Sequence, residues 1–258
     1  MRLIGLCASI MLLAACGSDE SVKVGLSTRV GSAKGAQAVA GKVEQQAETG
    51  NGITIERVRL SVRELELELE GDDDDDGQTG GSDDDLTPGN SRQDDDEQEI
   101  GPFLIDLSAE DLNGKVVRVG NIEVTPGVFD EIEFDIGKLT VAQAGEDAAL
   151  KELAQLGASV IIDGHIDGQP FSFVSSVRVE QEHEARFEVK EGEEPNITIN
   201  IDPSGWFVDD KGQRLDPRNE SARSTIENNL RRSIDAFDDD DHDGDEDDDD
   251  NNDGDHDD

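Results

Sequence analysis

Near its C-terminus the chain reads DDDDHDGDEDD over residues 238–248 and DDNNDGD over 249–255. A hard cation such as Ca²⁺ takes about six to eight oxygen ligands. A short acidic loop supplies them when alternate residues point inward and a glycine allows the sharp turn. Asp239-x-Asp241-x-Asp243-Gly244 meets that pattern, and no other frame of this first loop places a glycine sixth. Asp245 would then offer its backbone carbonyl at the seventh position, Asp247 would serve the ninth and Asp250 the twelfth. An Asp at the twelfth place is shorter than the bidentate Glu of an EF-hand, so the expected affinity is reduced, on the order of 10⁻⁴–10⁻³ M. A second, weaker motif, built from Asp249, Asn251, Asp253 and Asp255, begins before the first has ended. Two independent EF-hands are therefore excluded. The competing reading is a low-complexity, solvated Asp/Gly tail, because such a composition produces the motif by chance.

Elsewhere the residue types for catalysis are thin. His242 and His256 sit among carboxylates in the tail, His183 falls on the apolar face of its strand, and His165 stands beside the turn at Asp167-Gly168. Glu180, Glu182, Glu184 and Glu188 form a carboxylate ladder, but a period of two lays them along one wet strand face. No G-x-S-x-G, H-E-x-x-H or P-loop pattern occurs. A non-enzymatic protein is expected. The alternative is a hydrolase of envelope glycan or peptide that uses surface carboxylates. A concave pocket holding two convergent carboxylates, or His165 paired with one, would favour it.

The other reactive position is Cys16. Residues 1–15 carry Arg2 and then an apolar stretch from Leu3 to Ala15, too short to span a bilayer but suited to a signal peptide. The stretch ends in Leu13-Ala14-Ala15-Cys16, which resembles the lipobox of bacterial lipoprotein precursors. Cleavage before Cys16 would leave a covalently lipidated N-terminal cysteine and remove Cys7 with the signal. Gly17 in place of Asp implies delivery to the outer membrane, with the face unspecified, and several acyl chains make such an anchor stable.

Charge narrows the partners. The formal net charge is −42, and much of it lies in two runs: thirteen acids and one Arg over 72–99, fifteen acids and no Lys or Arg over 238–258. Such a field repels nucleic acid and anionic headgroups and attracts divalent cations. An envelope polysaccharide or protein is the other partner expected. With 258 residues, the chain is long enough for one sizeable domain with appendages.

The elements follow from periodicity. Residues 16–51 read as a lipidated tether holding one short strand, Val22 to Thr28. A long strand follows from Ile53, its period of two slipping near Arg57 and again near Arg63–Glu64, which predicts two bulges. Residues 71–101 are expected to be a disordered acidic insertion. Further strands are PFLIDLS, KVVRVGNIEV and, after a turn at Pro126-Gly127, VFDEIEFDI, the last with Val128, Ile132, Phe134 and Ile136 on one face. The one internal helix runs up to Gly157, with Leu150, Leu153 and Ala154 as its stripe. A hairpin at Asp167-Gly168, an alternating strand from Val177 to Val189, and Ile197, Ile199 and Ile201 complete a mainly β, antiparallel β-sandwich over 52–202. Residues 203–237 read as a smaller unit, a hairpin and an amphipathic helix with Ala222, Ile226, Leu230, Ile234 and Phe237 as its stripe. That helix enters a disordered acidic tail, 238–258.

Taken together, VKVGLST, ITIERVRLSVRELEL, FLIDL and TPGVFDEIEFDI resemble the lipoprotein family called domain of unknown function 4382 over about half the chain. The resemblance implies a prealbumin-like or carbohydrate-binding-like sandwich behind a lipobox. It brings no catalytic residues. The chain departs from the family in its acidic insertion and in Asp130, which stands where an aromatic is usual.

Overall fold

Alternating apolar and charged residues produce two opening strands, β1 (Val22–Val30) and the 17-residue β2 (Ile53–Leu69). The computed structural model describes residues 21–31, 52–71 and 97–244. Cys16, most of the tether, the insertion at 72–96 and the tail from 245 onward lie outside the described residues. In β2 the register shifts between Ile55 and Arg57 and between Val62 and Glu64, where the apolar phase slips. Each shift returns the next apolar residue inward, so Val58, Leu60, Val62, Leu65 and Leu67 are fully buried. Burying one such side chain contributes about 1.5–3 kcal/mol.

After β2 come β3 (Glu97–Ile100), β4 (Phe103–Ser108), β5 (Val117–Val124) and β6 (Gly127–Ile136). Helix α1 (Ala148–Leu156) is capped by Asp147, which accepts from the Ala149 and Leu150 N–H groups, and by Gly157 at φ 62°. Then follow β7 (Val160–Ile166), β8 (Gln169–Ser175), β9 (Val179–Val189) and β10 (Asn196–Ile201). A 3-10 turn at Pro203–Gly205, helix α2 (Arg223–Arg231) and β11 (Ile234–Asp238) close the described chain. The larger sheet runs β8-β7-β2-β6-β9, with β3 and β4 also paired to β2. The smaller runs β11-β10-β1-β5. Residues of both sheets join one hydrophobic core, which makes the fold a β-sandwich.

Five features depart from the sequence expectation. The strand at Val22–Val30 is no appendage of a tether: β1 lies inside the smaller sheet, antiparallel to β5 and parallel to β10. The acidic insertion is shorter than expected, because Glu97–Ile100 pairs with Leu65–Glu68 of β2. A bulge near Asp130 puts Phe129 inside rather than Val128, stacked on Phe187 at a ring separation of 5.2 Å. The C-terminal helix stops at Arg231. Ile234 and Phe237 continue its apolar stripe in sequence, yet they lie in β11, which pairs with β10 from Ile197 to Ile201. Two forces favour the strand. It covers an open edge of β10, and it keeps the run of aspartates away from a helix C-terminus, where the dipole opposes them. Trp206 and Phe207 belong to the same core as the sandwich, so residues 203–237 share its interior.

Candidate functional site

The predicted metal loop hangs from the end of β11, so a strand enters it and not a helix. All six residues of β10 are buried, including the polar Asn196, Thr198 and Asn200, and the strand lies between β1 and β11 within its sheet. Those polar residues need partners. Asp239, itself wholly buried, supplies one: its Oδ2 accepts from Thr198 Oγ1 at 2.6 Å and from Asn196 Nδ2 at 3.4 Å. Asn196 Oδ1 in turn accepts from Ser27 Oγ of β1.

The other oxygen of Asp239 closes the loop. Oδ1 accepts from the Gly244 N–H at 3.1 Å, bringing the first and sixth residues of the motif together. Gly244 sits at φ 85°, a conformation that suits glycine, and Asp241 Oδ1 accepts from the Asp243 N–H. Carboxylate oxygens of Asp239, Asp241 and Asp243 consequently lie within 4.8 Å of one another. Burial pushes the Asp239 carboxyl above its usual range; the bonds from Thr198 and Gly244 pull it back, and Asp243 and Asp241 push it up further. A hard cation between the three would supply the missing counter-charge. Arg29 of β1 donates to the Gly244 carbonyl on the far side of the turn. The remaining predicted ligands, Asp245, Asp247 and Asp250, lie outside the described residues, as does the weaker motif of Asp249, Asn251, Asp253 and Asp255.

A polar cleft of about 430 Å³ opens at the opposite end of β11. Asn200 and Asp235, paired across β10 and β11, line it together with Asp202, Arg232 and Gln181. Sequence periodicity missed these residues: only Ile197, Ile199 and Ile201 were read in that strand, and Asp235 fell within the predicted helix. A polar residue between Ile199 and Ile201 in a strand covered on both sides is the signal that would have found it.

The carboxylate ladder of β9 belongs to a wider acidic face. Glu99, Glu66, Glu133 and Glu182 stand abreast across β3, β2, β6 and β9, and Glu97, Glu68, Glu131 and Glu184 form the next row. Like charges placed directly opposite destabilise a sheet. Burial, then Glu97, Glu133 and Glu64, push Glu66 up to about 7. Glu131 and Glu133 are raised as well, again first by burial. The third row, Glu64, Asp135 and Glu180, is compensated: buried Asp135 accepts from Arg63 Nη1 at 2.8 Å and from Arg178 Nη2 at 3.1 Å.

His165 Nδ1 lies 3.2 Å from Glu56 Oε1, with both side chains substantially exposed. His183 is half-buried on β9, opposite Ile132, and His242 is exposed on the loop. No family model, curated protein or solved structure matches this chain.

Proposed function

We propose that this chain is a non-catalytic binding module of the bacterial envelope, anchored through lipid on Cys16 and carrying a weak calcium loop at the edge of its β-sandwich. The observation that carries the calcium reading is the convergence of the Asp239, Asp241 and Asp243 carboxylates within 4.8 Å in a loop closed by Gly244. The anchoring reading is supported by Leu13-Ala14-Ala15-Cys16.

Calcium added to the full chain in detergent, followed by calorimetry or by NMR of the loop amides, is expected to bind with Kd on the order of 10⁻⁴–10⁻³ M. Asp241 and Asp243 are exposed, so changing both to Asn leaves the buried Asp239 network intact and is expected to weaken binding at least about tenfold. An unchanged calcium response in that variant, or an equal response to magnesium, would make the acidic run a solvated tail. Affinity is also expected to fall on acidification sooner than for ordinary carboxylates, because Asp239 takes up its proton early. For the anchor, Cys16→Ala should abolish lipid labelling and move the chain from membranes to the soluble fraction. A variant that stays with membranes removes the anchor.

The rival hydrolytic reading draws on Asp202 and Asp235 in the polar cleft and on the His165–Glu56 pair. Both cleft carboxylates serve local backbone: Asp202 Oδ1 accepts from the Ser204 N–H and Asp235 Oδ1 from the Ala236 N–H. The non-catalytic reading is the better supported.

A further inference from the structure

We propose that the cleft between β10, β11 and the end of α2 binds a small neutral polyhydroxylated ligand, of monosaccharide to disaccharide size. The proposal rests on the reading of the sandwich as a binding module, and not on the calcium loop, which lies at the other end of β11.

The size of the cleft, about 430 Å³, falls in the range of small-molecule sites. Its walls are fixed. The Asn229 side-chain amide donates to the carbonyls of Gly205, Trp206 and Val208, tying α2 to the 3-10 turn at 2.9, 3.1 and 2.9 Å. Ser233 Oγ takes the Trp206 indole N–H at 2.6 Å and gives its own proton to the Leu230 carbonyl. On the rim, the Arg232 guanidinium is held by the Asn228 carbonyl and by Asn229 Oδ1. Gln181 reaches in from β9 with its Nε2 bound to the Arg231 carbonyl. Groups held this way have lost their freedom before any ligand arrives, which lowers the entropy lost on binding.

One group in this rigid setting is unsatisfied. Asn200 is 1 % exposed, and its Oδ1 has no hydrogen-bond partner in the protein. A buried acceptor without a donor opposes folding, and a native chain keeps one where something else requires it. Here the neighbours indicate what would use it. Asp235 stands beside Asn200 across the ladder, and Asp202 is on the same wall, so the cleft is rich in acceptors and calls for a ligand that donates. An ammonium ion donates, but it would also face the fixed Arg232 guanidinium, a like charge. Hydroxyl groups meet both demands. They donate to Asn200 Oδ1 and to the carboxylates, and they accept from Arg232. Trp206 is fully buried and offers no stacking plate to a sugar ring, so affinity rests on hydrogen bonds alone and is weak, on the order of 10⁻³ M.

Two variants separate a binding role from a structural one. Asn200→Leu keeps the volume and removes the unsatisfied oxygen, so it should hold or raise the melting temperature while removing binding. Asp235→Asn keeps the shape of a half-buried residue and should weaken binding at least about tenfold with the melting temperature unchanged. The measurement is saturation-transfer NMR and chemical-shift titration of the full chain in detergent. The probes are glucose, galactose, mannose and N-acetylglucosamine, with ethylammonium as the cationic control, each with added calcium and with a chelator. The expected result is saturable binding of at least one sugar, lost in both variants and equal with or without calcium. Failure of every sugar up to about fifty times the expected Kd overturns the proposal. So does sugar binding that both variants retain, or preferential binding of ethylammonium. Because calcium is varied separately, a negative sugar result leaves the calcium reading standing, and the reverse holds too.

Discussion

Gly164→Ala is expected to destabilise this protein by about 3 kcal/mol or more, near the upper end of what one added methyl group does in a core. Gly164 lies in the middle of β7, opposite Ile55 of β2. A Cβ built there would sit 2.1 Å from the Thr54 carbonyl oxygen and 3.1 Å from the Phe171 ring. A flexible side chain could swing away from such a contact. The obstructing oxygen is backbone, in the stretch of β2 paired with β7 at Thr54–His165 and Ile55–Gly164, so relief requires disturbing the β2–β7 ladder. In a chain of this size each kcal/mol moves the melting temperature by roughly 2–4 °C, giving an expected fall of about 6–12 °C. The control is Gly120→Ala in β5, where an added Cβ meets nothing within 4 Å, and there the change should stay within about 0.5 kcal/mol. Urea unfolding followed through the single tryptophan, buried Trp206, reads both. Equal midpoints for the two variants would show that β7 and β2 yield more easily than this packing implies.

The second large effect comes from the acidic face and has the opposite sign. Glu66→Gln should stabilise the protein at pH 8 by roughly 1–2 kcal/mol, the electrostatic penalty being limited by solvent screening. The Glu66 carboxyl moves from its ordinary 4.5 to about 7, mainly through burial and then through Glu97, Glu133 and Glu64. Below pH 4.5 folded and unfolded chains both carry the proton, and the glutamate does no harm. Between 4.5 and about 7 the folded chain keeps a proton that the unfolded chain has released, so stability falls as pH rises. Above that window the whole penalty is present. Melting curves of parent and variant should therefore lie a few degrees apart at pH 8 and converge near pH 4.5. Curves that coincide at pH 8 would mean that the facing glutamates do not feel one another.

Both effects can be traced to the sequence, though not equally well. The slips of phase at Arg57 and Arg63 marked the bulges of β2, because alternation has to be restored wherever one face is buried. Asp167 and Gly168, at φ 52° and 75°, form the expected hairpin turn, and Gly157 caps α1 as its position suggested. These are local features, decided by residues close in sequence. A glycine inside the strand pattern VIIDGHI also signals close backbone approach, but not which backbone. What could not be read is non-local. The stripe of Ala222, Ile226, Leu230, Ile234 and Phe237 satisfies a helix to its end, and only the open edge of β10 turns its last part into β11. The Asp239 motif was visible as a spacing, whereas its anchoring by Thr198 and Asn196 depends on β10 lying beside it. The setting of Asn200 could not be read either, because its neighbour across the ladder, Asp235, lies in β11.

The place of β1 also has a consequence in time. Its hydrogen-bonded neighbours are β5 and β10, and Thr28 reaches the Ile199 carbonyl across 171 positions of chain. A ribosome releases β1 long before β10 and β11. The smaller sheet is therefore incomplete until β10 and β11 have emerged, and β1 spends the interval with one edge exposed. Pairings this distant in sequence close slowly, because the ends of a long loop must meet before any contact rewards them. A chain built this way keeps that edge of β1 open until its distant partner has been made.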